Sequence, residues 1–366
     1  MKRAGIITFF DHPNYGAVLQ AYGMKWALEK LGCSVTFIKD KRDPAGTVLE
    51  KDRNQRVLEA LRRRQDAFRP LQRTFTDFSE KNFRTEELDA RHDINAEYDL
   101  FIAGSDQVWN LEITGRDPFW FLDFALPEKR FSYAASFGLD RLPESAILWY
   151  REMLAGFTNL SVREAAGQEI IRELTGKEAV VCPDPVLLPE RRVWEDLMDL
   201  AEKSVLLYMT EFDADLYRYA KADAAERELP LTILSNNMLP VTDKTTICSP
   251  EAWLGHMANA AAVYSNSFHA LVFSHIFHKE LWIKPMTKMK SRNGRLFAFA
   301  ESMRETLVEE ENRHGLFRLE GPGDPDHWEE VDSLLAGSRR SGLSYLQSIT
   351  DVHEAVVPHE GPSAAE

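Results

Sequence analysis

Residues 260–284 read AAAVYSNSFHALVFSHIFHKELWIK, and their pattern decides the fold class. Ala260 to Tyr264 form a short apolar run suited to a buried strand, and Ser265, Asn266 and Ser267 make a polar turn. Phe268 to about His278 carry an apolar helical pattern, and Glu280 to Lys284 give a second strand. Strand, helix and strand in that order form the unit of a parallel sheet, and such sheets bind ligands beyond the carboxyl ends of their strands. The polar turn falls at that place. Ser265 or Ser267 is suited to cap the helix that begins at Phe268, whose free N–H groups and positive dipole end favour an anion. His269 then lies in the first turn, beside the anion. His275 and His278 follow at a spacing of three, but a zinc site needs three or four ligands, so they read as packing or surface residues.

The same alternation extends outward. Upstream in the second half come a strand at Ser204 to Met209, a helix at Asp213 to Glu228, a strand at Leu231 to Leu234 and a helix at Pro250 to Ala258. Downstream, Lys288, Lys290 and Arg292 precede a helix from about Asn293 to Met303, and a last helix spans roughly His327 to Ser348. The first half opens with a strand at Ala4 to Phe9, a helix at Ala17 to Leu31 ended by Gly32, and a strand at Ser34 to Ile38. Residues 40–95 break the pattern with charged helical sequence; Arg62, Arg63 and Arg64 there read as a solvated face among interleaved acids. Strands return at Tyr98 to Ala103, Phe131 to Phe137, Leu160 to Val162 and Glu178 to Cys182. Pro183-Asp184-Pro185 and Pro189 then read as a linker.

The resulting expectation is an α/β protein with two Rossmann-like domains facing a cleft. The first spans residues 1–186 with a helical insertion at about 43–95, and the second spans 187–325. The helix at 326–350 is expected to cross back to the first domain, and the tail 351–366 to be disordered.

Composition narrows the function. A chain of 366 residues exceeds what one core usually serves. Its net charge of −14 argues against general nucleic-acid binding or adhesion to anionic lipid, both of which need a basic surface. An acidic protein that handles an anion must gather its cations locally. No run approaches the roughly 20 apolar residues of a spanning helix, and no cleavage site follows the N-terminus, so cytoplasm is the expected compartment. Three widely spaced cysteines, Cys33, Cys182 and Cys248, form no disulfide framework, and Cys182 at the end of an apolar run reads as a buried thiol.

Three further places carry candidate chemistry. The turn Asn14-Tyr15-Gly16 sits like a phosphate-binding loop after the first strand but lacks the GxGxxG of a dinucleotide site. Gly104 to Asn110, GSDQVWN, places Ser105, Asp106 and Gln107 at a strand end, where binding residues concentrate. Asp106 reads as an acid or base, a partner for a sugar hydroxyl, or a helix cap. Arg163, where a strand meets a helix, is placed to hold a carboxylate or phosphate by paired hydrogen bonds, or to pair with Glu164.

The motifs NYGAVLQAY at 14–22, AGSDQVWN at 103–110, YAASFG at 133–138, SVREAAG at 161–167, CPDPVLL at 182–188, SNSFHALVFS at 265–274 and SRNGRL at 291–296 together resemble the polysaccharide pyruvyl transferase family. They occur in the family's order. The resemblance implies a fold similar to the glycosyltransferase-B arrangement. It also implies transfer of pyruvate from phosphoenolpyruvate, as co-substrate, to hydroxyls of a saccharide or lipid-linked glycan in surface polysaccharide or glycoconjugate synthesis. It implies no cofactor and no metal. By the same resemblance His269 is the catalytic acid and Arg163 holds the donor. Ser265, Ser267, Phe268, Lys288 and Arg292 are donor-binding, and Asn14, Tyr15, Gly16, Ser105, Asp106 and Gln107 are acceptor-binding. Better-known members place an arginine two residues before the histidine, where this chain has Ser267, so Arg292 or Lys288 is expected to supply the charge. Two other functions fit the same architecture: a nucleotide-sugar glycosyltransferase, and a non-catalytic member that binds a saccharide or an anion.

Overall fold

The structure is a computed structural model that describes residues 1–42, 55–89, 93–234, 245–288, 293–311, 313–319 and 325–351. Arg292, Lys290 and the tail after Asp351 lie outside the described residues, and so do the side chains of Arg62, Arg63 and Arg64. The first half runs β1 (Arg3–Ile7), α1 (Tyr15–Lys30), β2 (Ser34–Asp40), α2 (Gln55–Asn82), β3 (Thr85–Leu88), β4 (Leu100–Ala103), α3 (Leu111–Thr114), β5 (Arg130–Ser132), α4 (Ile147–Ala155), β6 (Ser161–Val162), α5 (Ala165–Thr175) and β7 (Val180–Val181). The second half continues with α6 (Arg191–Leu197), β8 (Ser204–Tyr208), α7 (Ala214–Glu226), β9 (Leu231–Leu234), α8 (Pro250–Asn259), β10 (Ala260–Ser265) and α9 (Phe268–Ile276). It ends with β11 (Leu281–Ile283), α10 (Gly294–Ser302), β12 (Leu307–Glu309), β13 (Phe317–Leu319) and α11 (Pro325–Asp351).

Two large sheets, the first parallel and the second mainly parallel, organise most of these elements into two Rossmann-like halves that face a cleft, and β6 pairs with β7 in a short third sheet. The first has the order β3-β2-β1-β4-β5, parallel throughout. The second has the order β12-β13-β11-β10-β8-β9, in which β9, β8, β10 and β11 are parallel and β13 and β12 close the edge antiparallel. The central strands are continuous apolar runs because both faces of a parallel sheet are covered; β4 is buried at every residue. Helix α9 is buried at all nine of its positions, as its apolar sequence on every face requires.

Three expectations change. Residues 85–88, read as part of a helical insertion, form β3 at the edge of the first sheet; TEEL is polar because an edge strand faces water. The strand expected to run to Phe137 stops at Ser132, since Ala134 takes a left-handed φ of 47° and leaves the ladder. The segment read as a linker packs instead. Val186, Leu187 and Leu188 are buried, and the short 3-10 turn Pro185–Leu187 lies against α1, so apolar burial outweighs the proline punctuation.

The halves share an aromatic core. Tyr15 of α1 stacks on Trp253 of α8 at 5.6 Å, meets Tyr208 of β8 edge-on at 5.7 Å and touches Phe75 of α2 at 4.8 Å. Helix α11 then returns to the first half, where Tyr345 Oη donates to the Ser132 carbonyl at 3.1 Å and Lys2 Nζ donates to the Thr350 carbonyl. Gly342 permits that approach, since a Cβ there would lie 2.5 Å from Tyr133 Oη. Among the described residues no helix is long and apolar enough to cross a membrane.

Candidate active site

Strand order reverses at β1 and β4 in the first sheet and at β8 and β10 in the second, and open α/β sheets hold ligands at such points. The four loops that leave these strands line one cleft of about 420 Å³: Phe9, His12 and Asn14 after β1, Asp106 and Gln107 after β4, Thr210 after β8, and Ser267, Phe268 and His269 after β10. Local hydrogen bonds fix each loop. Gln20, buried in α1, donates to Thr8 Oγ1 at 2.9 Å and to the Phe9 carbonyl at 3.2 Å, while Thr8 donates to the Ser105 carbonyl at 2.9 Å. Asn266 Oδ1 accepts from the Thr210 N–H at 2.7 Å, and its Nδ2 donates to the Glu211 carbonyl at 2.6 Å. Both sides of the cleft are thereby held before any ligand arrives.

A buried charge cluster lies behind the cleft. Asp184 Oδ2 accepts from Arg163 Nη1 at 2.8 Å and faces His269 Nε2 at 3.4 Å, without the alignment of a hydrogen bond. Its Oδ1 accepts from the Val186 N–H at 3.1 Å. Burial works to raise the Asp184 pKa, but the nearby His269 and Arg163 and the Val186 N–H outweigh it and hold the carboxyl well below the usual carboxylate range. Arg163 also donates to Glu164 at 2.9 Å and faces Asp106 at 3.7 Å, with a side chain only 4% exposed. Burial disfavours its charge, and Glu164, Asp184 and Asp106 together more than restore it. Arg163 and His269 thus converge on one carboxylate oxygen of Asp184.

His269 lies against the first turn of α1. A Cβ on Gly16 would stand 1.9 Å from His269 Nδ1, so only glycine leaves room beside that nitrogen. Gly16→Ala is expected to displace the imidazole and cut turnover by about a hundred-fold with the fold intact, read from steady-state rates and circular dichroism.

The structure distributes the sequence-derived candidates as follows. His269, Ser267, Phe268, Asn14, Asp106 and Gln107 line the cleft, and Gly16 underlies it. Ser267 caps α9, accepting from the Ala270 N–H at 3.5 Å, and Asn14 caps α1, accepting from the Ala17 N–H at 3.3 Å. Ser265 does not line it: fully buried, its hydroxyl donates to the Tyr208 carbonyl at 2.5 Å and accepts from the Ser267 N–H at 3.0 Å, which shapes the turn. Tyr15, expected on the acceptor side, is in the aromatic core, its hydroxyl bonded to the Cys248 carbonyl at 3.1 Å. Ser105 is likewise fully buried. Lys288 is exposed on the loop after β11, and its backbone N–H donates to the Glu211 carboxylate at 3.1 Å. Arg292 is outside the described residues. His275 bonds Glu305 and the Leu271 carbonyl, and His278 pairs with Asp332 at 2.9 Å. Cys182 is buried, which pushes its thiol up to about 11.

Sequence reasoning passed over Asp184, Trp120 and Arg295. Asp184 stood in a proline-rich segment, where the signal was a carboxylate bounded by Cys182 on one side and Val186, Leu187 and Leu188 on the other; a charge in such a setting needs a partner. Trp120 lines the cleft beside Phe9, ring centroids 4.7 Å apart, and its carbonyl accepts from Trp109 Nε1 at 3.1 Å. Arg295, in the first turn of α10, lines the cleft from the other side.

A profile of the polysaccharide pyruvyl transferase family matches residues 14–282, which include Asn14, Asp106, Arg163, Asp184 and His269. The chain belongs to the polysaccharide pyruvyl transferase family. No curated protein matches it in sequence. Among solved structures it is similar to Arabidopsis thaliana UGT89C1 complexed with UDP-L-rhamnose, at 11% identity over 94% of this chain and 98% of that one, with a TM-score of 0.46. It is also similar to the UDP-GlcNAc 2-epimerase of Neisseria meningitidis bound to UDP-GlcNAc, at 9% identity over 96% and 100% of the chains, with a TM-score of 0.47. In this pyruvyl transferase family member, His269 lines the cleft formed by loops of both sheets.

Proposed function

We propose that this protein transfers pyruvate from phosphoenolpyruvate to two hydroxyls of a saccharide or lipid-linked glycan, forming a pyruvate ketal in polysaccharide or glycoconjugate synthesis. The observation that carries the reading is His269 in the cleft with Asp184 3.4 Å behind it and Arg163 fixing Asp184, an acid with its orienting group. With Nε2 facing Asp184, Nδ1 is the nitrogen that exchanges a proton with the ligand. In the first step a saccharide hydroxyl oxygen bonds to C2 of phosphoenolpyruvate while the methylene carbon takes a proton from His269 and becomes a methyl group. The hydroxyl proton returns to the imidazole. In the second step the C2–O bond to phosphate breaks, a second hydroxyl oxygen takes its place, and its proton leaves with inorganic phosphate. Asp184, held ionised, stabilises the imidazolium on which the first step depends.

Trp120 and Phe9 offer an apolar face for a sugar ring, and Asn14, Asp106 and Gln107 offer hydrogen-bond partners for its hydroxyls. Trp120→Ala is expected to raise the KM for the acceptor roughly ten-fold while leaving that for phosphoenolpyruvate unchanged, measured with each substrate varied in turn. The reading itself is tested by phosphate release from phosphoenolpyruvate with a panel of glycan acceptors, run in deuterium oxide. Success is release coupled to a ketal whose methyl group carries solvent deuterium. Silence across acceptors drawn from the gene's neighbourhood, or binding of nucleotide sugars instead, defeats it.

A further inference from the structure

We propose that His12 is a second catalytic base of the cleft, taking the proton of the second acceptor hydroxyl while His269 serves the donor carbon and the first hydroxyl. This deepens the pyruvyl transfer reading and rests on it. The protons of that reaction require a second base. His269 gives one proton to the methylene carbon and regains one from the first hydroxyl, so it enters the second step as an imidazolium with no lone pair to offer. The second hydroxyl has to lose its proton as its oxygen bonds to C2, and a group other than His269 has to receive it.

Among the described residues that line the cleft, His12 and Asp106 are the two further side chains that accept a proton at neutral pH. Asp106 is buried, and its Oδ1 faces the Arg163 guanidinium at 3.7 Å, so protonating it removes a charge that balances a buried cation. His12 borders the cleft with 63% of its side chain exposed, which leaves the ring within reach of a bound acceptor. Imidazole is also the side chain that ordinarily titrates nearest neutral pH, where a general base works best.

The loop after β1 builds the position. Pro13 restricts the backbone that follows His12, and the His12 carbonyl accepts from the Asn14 N–H at 2.7 Å just before α1 begins. His12 Nδ1 lies 3.0 Å from Asp11 Oδ1, while Lys39 Nζ holds Asp11 Oδ2 at 2.9 Å. His12 and Lys39 outweigh the effect of burial and pull the Asp11 carboxyl down to about 2, so a negative charge stands beside the ring at neutral pH. With the Nδ1 proton turned to that carboxylate, Nε2 carries the lone pair. The His12 ring meets Phe9 edge-on at 5.7 Å, and Phe9 lies 4.7 Å from Trp120 in the aromatic face proposed for the sugar. The cleft thus carries two histidine–aspartate pairs, His269 with Asp184 behind it and His12 with Asp11 beside the sugar face. In the second step the C2–O bond to phosphate breaks with its electron pair left on the phosphate oxygen, and a lone pair of the second hydroxyl oxygen forms the new bond to C2. His12 Nε2 takes the proton of that hydroxyl and passes it to the departing phosphate.

The test follows the full chain with phosphoenolpyruvate and a panel of glycan acceptors in deuterium oxide. Two quantities are read: phosphate release, and deuterium in the methylene group of phosphoenolpyruvate recovered before completion. The second reports the first step and its reversal without the second step. His12→Ala is expected to slow phosphate release about a hundred-fold while deuterium enters phosphoenolpyruvate at no less than the wild-type rate. His12→Gln, which keeps much of the ring's volume, gives the same split, and added imidazole restores part of the release to His12→Ala. Asp11→Asn, which leaves the ring without its carboxylate, slows release about ten-fold and spares the exchange in the same way. Wild-type release by both folded His12 variants, or a loss of exchange as complete as the loss of release, overturns the assignment and leaves the pyruvyl transfer reading standing. A wild type that releases no phosphate with any acceptor overturns both.

Discussion

His269→Ala is expected to lower kcat for phosphate release by about 10³-fold while the affinity for phosphoenolpyruvate changes little. The magnitude follows from the role. Protonation of the methylene carbon has to accompany bond formation at C2, and a positioned general acid contributes on the order of 10² to 10⁴ in rate. The small effect on affinity follows from the proposed role, in which His269 moves a proton to the donor's methylene carbon and does not hold its charge. A histidine that merely filled the contact between α1 and α9 would behave differently, because its loss would lower stability and leave turnover nearly untouched. Two measurements separate these outcomes. His269→Gln keeps most of the buried volume and is expected to lose as much activity as His269→Ala. Added imidazole is expected to restore part of the turnover to His269→Ala, because removal of the ring leaves a space next to Gly16. Wild-type turnover in both variants would remove His269 from the chemistry.

The stretch from Ala260 to Ile283 was legible because its local and global requirements agree. An apolar run, a polar turn and an apolar helix each want the structure they adopt, and β10 and α9 fall within a residue or two of their sequence-derived limits. The loop after β4 was legible for a related reason. Asp106 and Gln107 line the cleft while Val108 and Trp109 are buried, the division expected of polar groups around an apolar anchor. What the sequence could not carry was partnership at long range. Asp184 meets Arg163 and His269 from 21 and 85 positions away, and nothing in PDP reports that meeting. Tyr15 was placed in the cleft because it adjoins Asn14 and Gly16, yet the α1 helix turns its ring toward Trp253. Arg295 belongs to the motif SRNGRL, and its place on the cleft follows from the packing of α10 on α9, which the motif does not report.

Asp184→Asn is expected to destabilise the fold by about 3 kcal/mol at neutral pH, because removing one member of a buried ion pair leaves the other charge poorly compensated. The amide keeps an oxygen for the Val186 N–H, so the loss isolates the charge rather than the turn. Glu164 still accepts from Arg163, which limits the cost to the lower end of the range for broken buried pairs. Linkage gives the pH dependence a definite sign. The folded carboxyl titrates below its unfolded value, so it binds fewer protons folded than unfolded, and its stabilisation is fully present above the ordinary aspartate range near pH 4. That stabilisation declines as pH falls from there toward the lower folded value. Denaturant unfolding of both proteins should therefore show a gap that is flat from about pH 6 to 8 and narrows below about pH 4. A constant gap down to the acid limit would mean that Asp184 contributes shape and not charge. The same substitution is expected to slow phosphate release, since an amide beside Nε2 cannot stabilise the imidazolium. Arg163→Lys keeps the charge but not the paired geometry and should fall between the two. If Asp184→Asn instead lost stability but kept full turnover, the carboxylate would belong to the fold alone, and His269 would act without it.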